Sequence, residues 1–527
     1  MDKSFKPQST SPALSFTLVF VDNTPPGHKD RYCRTQFETA VKQLRFDVAR
    51  VKTPYLFRMS QFADALRPGR DQVRLELEDV QGFDALGLAC KIDDGGLPQI
   101  VGTPLRAFKG DVHIHACSKL NGEKEPDDFE VTRSFEIAEE SVDTWPLWQD
   151  LPTPTDTPYE APNQDTLCKT IPLSAPIVVI GASQRGRSHA HQGDFRDDYM
   201  TARFADSNPL SRGDDNGEWR YGWHVLTVSD GAGSATFSRK GAQLVCDTMA
   251  DALFNELNHS SNSAPLTDAV RDSFNERWTR LQTNCFGPVD SMTRSRLKLG
   301  ETFTRAVYAA YMAVFNEAAT LRERTRRHVS VRDYNATALC VAIKRFKGVD
   351  GWKSDKLHRR PPVWAILSYW IGDGAVAVYR PNDENRILTL GKGDSGEYAG
   401  ETRFITSKDE ARFDSVEPRV NLTFLRNFEG IILATDGVTD PFFPSDSSME
   451  TFSAWQTFWN DKLRAGAPDT FPSLQNEKNG EIAPQKRADA LLRWLMFKER
   501  GYHDDRTILL ALNDKLAARN RSTANDD

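Results

Sequence analysis

The sequence has no long apolar run, no paired cysteines and no concentrated positive charge. No apolar run among the 527 residues approaches the roughly 18 of a membrane span, and the polar N-terminus lacks the apolar core of a signal peptide. We therefore expect a cytoplasmic protein that binds no membrane. Seven cysteines without paired spacing argue against a zinc site or a disulfide framework. A net charge of −7 without basic clusters excludes an electrostatic case for nucleic-acid binding.

Three apolar stretches each end in an Asp-Gly pair. The pairs begin at Asp230, Asp373 and Asp436. An acid at the end of a buried strand is held at the edge of the core, and the glycine lets backbone approach whatever the acid binds. A single Asp-Gly is more often a hairpin turn than a site. Three copies predict strand ends that converge.

Residues 13 to 140 read as strands, with alternating apolar residues at Leu14–Val21, Asp111–Cys117 and Asp128–Ile137. Between them, Gly-Leu-Pro at residues 96–98 is followed by Gly-Thr-Pro at residues 102–104. This pattern resembles the immunoglobulin-like module of bacterial proteins. The resemblance implies a small all-β sandwich.

A proline-rich segment follows, and residues 141 to 170 are predicted to be an extended linker. Beyond it, residues 171 to 515 alternate apolar strands with long helical stripes, of which Ala242–Leu257 is the clearest. Residues 187–198 lack such a stripe and are predicted to be a polar loop. These boundaries predict that a chain beginning near Cys168 folds by itself and that residues 516–527 are a disordered tail.

Several acids at strand ends have no obvious lysine or arginine partner in register. Asp198, Asp230, Asp436 and Asp504 each flank a strand or a short loop. Carboxylates gathered without cations repel each other, and a bound divalent ion removes that cost. Ligands that are all oxygen select Mg²⁺ or Mn²⁺ over zinc.

These acids belong to motifs that occur in a family's order. The motifs are Gly181–His189, Arg196–Asp198, Ser229–Ser234, Arg332–Thr337, Ile371–Val376, Gly396–Tyr398 with Glu401–Thr402, Leu433–Asp440 and Asp504–Thr507. The chain from about 175 to 515 therefore resembles the metal-dependent protein phosphatases (the PPM or type 2C family), closest to the bacterial branch. The resemblance implies an α+β fold: a four-layer α-β-β-α sandwich preceded by the small all-β sandwich.

The resemblance also assigns roles to residues. Asp230 corresponds to the acid that bridges two metal ions, Gly231 to a carbonyl ligand, and Asp373 to an acid that holds a third, looser ion in some members. The remaining implied metal ligands are Asp198, Asp436 and Asp504. Together with Asp230, they are also the implied catalytic acids. Asp505 occupies a position where the family often has Asn, and either residue can orient a water on the metal.

The chain departs from the family at Gly193. Family members commonly have a phosphate-binding arginine at this position, five residues before the first-loop acid. The candidates to replace it are Arg185, Arg187 and His189, of which Arg187 and His189 are nearer that acid. Ordinary polar loop residues are the alternative at all three positions.

The expected function is hydrolysis of phosphoserine or phosphothreonine by a water activated between two Mn²⁺ or Mg²⁺ ions. The expected partners are a phosphorylated protein and its cognate Ser/Thr kinase. Two alternatives stay open. One is a catalytically degenerate phosphatase fold that serves as an interaction module; the other is a protein whose N-terminal sandwich binds a partner and is regulated by the phosphatase domain.

Overall fold

The computed structural model describes most of the chain. The described residues are 14–22, 37–42, 44–59, 62, 73–93, 96–119, 127–139, 148–155, 157–171, 177–205, 222–283, 290–346, 363–380, 386–391, 402–425, 427–443, 448–449, 451–471 and 483–514. They divide into two compact units. The first holds those between 14 and 139, and the second holds almost all of those from 148 onward. The predicted tail at 516–527 lies outside the described residues.

The first unit is rich in sheet. Its strands are β1 (Leu14–Asp22), β2 (Ala49–Arg50), β3 (Tyr55–Arg58), β4 (Val73–Gln81), β5 (Leu88–Ile92), β6 (Pro98–Gly102), β7 (Phe108–Lys119) and β8 (Asp127–Ala138). They form a five-stranded sheet in the order β2-β8-β7-β1-β4 and a three-stranded sheet in the order β3-β6-β5. Buried side chains alternate along these strands, and edge-to-face pairs of Phe16, Phe46, Phe83 and Phe135 fill the core. The immunoglobulin-like assignment stays a prediction.

The second unit contains a six-stranded and a five-stranded sheet. Its strands are β9 (Gln164–Ile171), β10 (Ile177–Gln184), β11 (Tyr199–Arg203), β12 (His224–Ser229), β13 (Ala338–Phe346), β14 (Val363–Ile371), β15 (Ala375–Arg380), β16 (Arg386–Gly391), β17 (Val420–Leu425), β18 (Gly430–Ala434) and β19 (Arg506–Asn513). The six-stranded sheet has the order β16-β15-β18-β19-β10-β9, and the five-stranded sheet has the order β11-β12-β13-β14-β17. All their pairings are antiparallel.

Helices cover these sheets. Those of the second unit are α1 (Arg187–Gln192), α2 (Ser238–Asn258), α3 (Ser263–Thr283), α4 (Asp290–Thr325), α5 (Phe413–Val416), α6 (Asp436–Thr439), α7 (Phe452–Thr457) and α8 (Pro484–Trp494), with a π-helix at Phe458–Arg464. The long helices α2 and α4 share a buried core with one face of β12, β13 and β14. The opposite face of those strands packs against β10, β15, β18 and β19 in a second core. The predicted α+β class is confirmed.

Two local predictions are wrong, and one helix was not predicted. Residues 164–170, assigned to the linker, belong to β9, which pairs with β10. Their polar sequence hides the strand because it lies at a sheet edge and is only half-buried. The polar loop predicted from residue 187 begins instead with the short helix α1, and α3 had no sequence prediction.

Among the described helices, none is long and apolar enough to cross a membrane.

Candidate functional site

Five aspartates meet where strands of both large sheets end. Asp230 directly follows β12, Asp373 lies in the turn from β14 to β15, and Asp436 follows β18 as the first residue of α6. Asp198 directly precedes β11, and Asp504 lies two residues before β19. Thus Asp198 and Asp230 belong to the five-stranded sheet, Asp436 and Asp504 belong to the six-stranded sheet, and Asp373 lies on the connection between the sheets.

Three of these acids form a tight group. One carboxylate oxygen from each of Asp230, Asp373 and Asp436 lies within 4.8 Å of the other two. The resemblance linked Asp373 to a third, looser ion, and the structure places its carboxylate in the same group as those of Asp230 and Asp436. The convergence follows from the topology, because the turn after β14 and the ends of β12 and β18 meet at one edge of the sandwich.

The electrostatics of the group are unfavourable for bare carboxylates. Burial raises the pKa of Asp230 well above its usual range, and the charges of Asp436, Asp198, Asp504 and Asp373 raise it further. Burial likewise raises the pKa of Asp436, to which nearby carboxylates add. The pKa of Asp198 is raised to about 7 by burial and then by Asp505. The protein thus holds buried acids against mutual repulsion, which a bound cation would relieve.

Two carboxylates are each half satisfied. The hydroxyl of Thr435 donates to Oδ2 of Asp198 at 2.8 Å, and that of Thr402 donates to Oδ2 of Asp373 at 2.6 Å. Within the part of the chain that the structure describes, the buried Oδ1 atoms of both aspartates have no hydrogen-bond partner. A buried acceptor without a partner is costly unless a cation completes it. The donor set, which is all oxygen, fits a hard divalent ion such as Mg²⁺ or Mn²⁺.

Asp230 is positioned through its backbone. Its N–H donates to Oγ1 of Thr337 at 2.9 Å, and its carbonyl accepts from the N–H of Thr337 at 2.8 Å. The hydroxyl of Ser229 also donates to the carbonyl of Thr337, at 2.6 Å. Sequence analysis did not assign Thr337 or Thr435 a role, although both lie inside the matched motifs. The available signal was the position of Thr435 directly before Asp436.

Glycines let the strand ends approach each other. A Cβ on Gly186 would lie 2.2 Å from the carbonyl carbon of Asp504, and a Cβ on Gly437 would lie 1.9 Å from the carbonyl oxygen of Asp505. Gly231, the predicted carbonyl ligand, pairs with Ala336 in an isolated bridge, and its own Cβ would lie 2.8 Å from the carbonyl oxygen of Asp197. Any side chain at these positions would push the acids apart.

Asp505 organises the loop between β10 and β11. Its carboxylate accepts the N–H of Gly186 and the N–H of Asp197, each at 2.5 Å, and Oδ2 lies 3.0 Å from Nδ1 of His189. Burial alone would lower the pKa of His189, but the bond to Asp505 and the nearby carboxylates raise it to about 10. His189 is therefore a cation beside the acids, and its Nδ1 is engaged by Asp505.

The two predicted arginine candidates have other partners. Arg187 donates from Nη1 to Asp150 and from Nη2 to the carbonyl of Trp148. Arg185 donates to the carbonyl of Asp194 at 3.0 Å and to that of Leu151 at 3.3 Å. The structure thus directs both guanidinium groups to carbonyl or carboxylate oxygens of residues 148–151 and 194.

Gly193, where the chain departs from the expected arginine, is required by the backbone. It caps α1 with φ 78°, a left-handed conformation, and a Cβ there would lie 3.1 Å from the carbonyl oxygen of Pro152. An arginine at this position would be strained and would crowd the segment that precedes β9.

Comparisons with known proteins agree with the sequence resemblance. A family model described as "Protein phosphatase 2C" matches residues 185–467. No curated protein matches the chain. Among solved structures, a bacterial serine phosphatase is similar at 12% identity and a TM-score of 0.32, covering 63% of this chain and 96% of that chain. The serine/threonine phosphatase Stp1 from Staphylococcus aureus is similar at 11% identity and a TM-score of 0.30, with coverage of 69% and 97%.

Proposed function

The chain belongs to the protein phosphatase 2C family, and from that premise we propose that it is a metal-dependent phosphatase acting on phosphoserine and phosphothreonine in proteins. The observation that carries the proposal is the group of Asp230, Asp373 and Asp436, whose carboxylate oxygens lie within 4.8 Å of one another. The raised pKa values of Asp230 and Asp436 support a site built for cations rather than for packing.

Mn²⁺ or Mg²⁺ is the proposed cofactor. The residues that would hold two such ions are Asp198, Asp230, Gly231, Asp436 and Asp504, and Asp373 would hold a third. When bound, the ions would lower the pKa of a water molecule so that it can lose a proton and attack phosphorus.

The protein's own residues do the positioning. Thr435 and Thr402 each fix one carboxylate oxygen and leave the other bare. Asp505 holds the loop that carries Asp198 by accepting the N–H of the preceding residue. In the proposed reaction the oxygen of water loses a proton and forms a bond to phosphorus, and the bond from phosphorus to the serine or threonine oxygen breaks. That oxygen takes up a proton, so the net reaction consumes one water molecule and releases the alcohol and phosphate.

The expected physiological partners are a phosphorylated protein and the Ser/Thr kinase that phosphorylates it, in the cytoplasm. The substrate proposal extends the phosphatase assignment, because a protein phosphatase requires a phosphoprotein substrate. The first unit is proposed to bind a protein partner.

Release of phosphate from a phosphothreonine peptide by the full chain tests the proposal. We expect turnover in Mn²⁺, none in EDTA, and a loss of at least about 1000-fold in Asp436→Asn, because removing a metal ligand removes the activating ion. Asp268→Asn is a matched control, since Asp268 is exposed and pairs with Arg271 on the surface of α3. A chain that Mn²⁺ stabilises but that hydrolyses neither the peptide nor a small phosphoester would support the interaction-module alternative instead.

A further inference from the structure

The outer face of the five-stranded sheet in the first unit carries two histidines on one strand. Along β7, the side chains of Val112, Ile114 and Ala116 are fully buried, and His113 and His115 alternate with them. Because successive side chains of a strand point to opposite faces, both imidazoles project away from the core. Alternate residues of a strand are about 7 Å apart. Two imidazoles at that spacing can converge on one ion.

The neighbouring strand adds a carboxylate. β7 and β8 pair antiparallel, with Thr132 opposite His113 and Glu130 opposite His115. Although Glu130 is opposite His115, its Oε1 lies 3.0 Å from Nδ1 of His113. The carboxylate therefore reaches diagonally from beside one histidine to the ring of the other. Since residues directly opposite each other on antiparallel strands have Cβ atoms about 5 Å apart, the ring of His115 is within reach of the same carboxylate.

The three side chains are accessible to an ion. The side chain of His113 is 38% exposed, that of Glu130 is 60% exposed, and His115 is also exposed. Within the described residues, His115 has no hydrogen-bond or ion-pair partner that would hold its ring in place. Bringing that ring onto the pair formed by His113 and Glu130 requires rotation about side-chain torsions alone, and exposed side chains change rotamer within nanoseconds. No movement of the backbone is needed.

The chemistry of these ligands differs from that of the acid group. Imidazole nitrogen favours zinc over Mg²⁺ or Mn²⁺. Two imidazoles and a carboxylate form a ligand set that zinc accepts, and they leave its fourth position open. The negative charge of the neighbourhood is increased by Asp128, which lies two residues before Glu130 on the same face of β8 and is opposite Cys117. Such a face attracts a cation.

We propose that His113, His115 and Glu130 bind a zinc ion on the outer face of the first unit, with the fourth position left for water or for a side chain of a protein partner. The ion would fasten β7 to β8, which are the two longest strands of the unit. The proposal does not depend on the phosphatase function, because the acid group is a separate site with ligands that are all oxygen.

The test is calorimetric titration of the full chain with Zn²⁺, in a reducing buffer that contains saturating Mg²⁺ for the acid group. We expect one zinc ion to bind the wild type. Its affinity should fall about 10-fold or more in each of His113→Ala, His115→Ala and Glu130→Gln, because each change removes a ligand and even the loss of a residue that supports a ligand costs that much. All three side chains face solvent, so the variants should unfold like the wild type in EDTA.

Three variants serve as controls. Glu136→Gln removes the same charge from the same strand, because Glu136 lies on that face of β8 and pairs with Lys109. His328→Gln removes an exposed histidine from the second unit. Asp230→Asn alters the acid group. All three should bind this zinc ion like the wild type. Titration with Co²⁺ gives a second readout, since visible absorption bands of the bound ion should appear in the wild type and be absent in His115→Ala.

Three results would overturn the zinc site. The first is a wild type that takes up no zinc, or one whose uptake survives both histidine changes. The second is a loss in Glu136→Gln as large as that in Glu130→Gln, which would mean that the face attracts ions by charge alone. The third is a loss in Cys117→Ser without one in Glu130→Gln, which would place the ion further along β7, between Cys117 and Asp128.

Discussion

Nδ1 of His189 lies 3.0 Å from Oδ2 of Asp505, and this ion pair joins α1 to the residue that precedes β19. Asp505 is almost fully buried, at 2% exposure, and the side chain of His189 is 15% exposed. The pair therefore combines a desolvated carboxylate with a cation whose pKa is raised to about 10. The charge on His189 should therefore make the stability of the folded chain depend on pH.

The first prediction concerns that pH dependence. A histidine whose pKa is higher in the folded chain than its unfolded value of about 6.5 stabilises fully below that value and loses its contribution as pH rises through the folded pKa. We expect His189→Gln to lower the free energy of unfolding by on the order of 2 to 4 kcal/mol near pH 6, with the difference shrinking towards pH 10. Urea unfolding in EDTA at several pH values measures it.

A matched control is His115→Gln, because His115 is exposed on β7. It should unfold like the wild type throughout. A stability difference for His189→Gln that stays constant from pH 6 to pH 10 would show that the imidazole acts by packing rather than by charge.

The second prediction concerns the acid group. In EDTA, Asp230→Asn should be as stable as the wild type or about 1 kcal/mol more stable, because it removes one of several buried, repelling charges. Saturating Mn²⁺ should stabilise the wild type by about 3 kcal/mol at 100 times the Kd and should stabilise the variant far less. Thermal unfolding with and without Mn²⁺ measures both effects. Equal stabilisation of the two proteins by Mn²⁺ would show that Asp230 is not a metal ligand.

The third prediction compares two glycines. A Cβ on Gly437 would lie 1.9 Å from the carbonyl oxygen of Asp505, whereas a Cβ on Gly233 would meet nothing within 4 Å. Gly437→Ala should therefore separate Asp436 from Asp504, cost about 3 kcal/mol or more, and abolish turnover. Gly233→Ala should stay within about 1 kcal/mol of the wild type. Chemical unfolding and phosphoester hydrolysis test the pair, and similar behaviour of the two variants would contradict the close approach.

The fourth prediction replaces the expectation that a chain beginning near Cys168 folds alone. Such a chain lacks Asp165, which accepts from the buried guanidinium of Arg196 at 2.5 Å. It also lacks the first residues of β9, which pair with β10. In addition it lacks Tyr159, whose hydroxyl contacts Glu317 at 2.6 Å and Tyr334 at 2.8 Å. An unpaired buried charge alone costs about 3 kcal/mol or more. We expect this chain to be insoluble or loosely packed.

A chain beginning at residue 148 keeps these contacts and should unfold cooperatively. The two truncations are compared by circular dichroism during thermal unfolding. Asp165→Asn in the full chain measures how much of the loss of stability is due to the ion pair between Asp165 and Arg196. Cooperative unfolding of the chain that begins at residue 168 would contradict the role given to β9 and Tyr159.

The sequence predicted the fold class and the family because the relevant signals are local. Apolar runs that end in Asp-Gly identify strand ends, and the stripe of α2 has the period of a buried helix. The acids of the candidate site could be named for the same reason. That they bind metal stays a prediction.

The contacts of the proline-rich segment could not be predicted, because they join residues far apart in sequence. Trp148 and Tyr159 are single aromatic residues in a segment without any period, and their partners lie more than 40 residues away. The helix α3 was missed because its polar residues dilute the apolar stripe. The partners of Arg187 likewise depend on a segment that sequence analysis treated as a spacer.

The distribution of the acids over both sheets has a mechanical consequence. Asp198 and Asp230 are attached to the five-stranded sheet, whereas Asp436 and Asp504 are attached to the six-stranded sheet. Sliding one sheet along the other by a single residue, about 3.3 Å, would pull the carboxylates out of reach of a common ion. A bound ion would therefore act as a cross-link against shear of the sandwich. Amide hydrogen exchange in β12 and β18 would slow on loading, far beyond the residues that touch the ion.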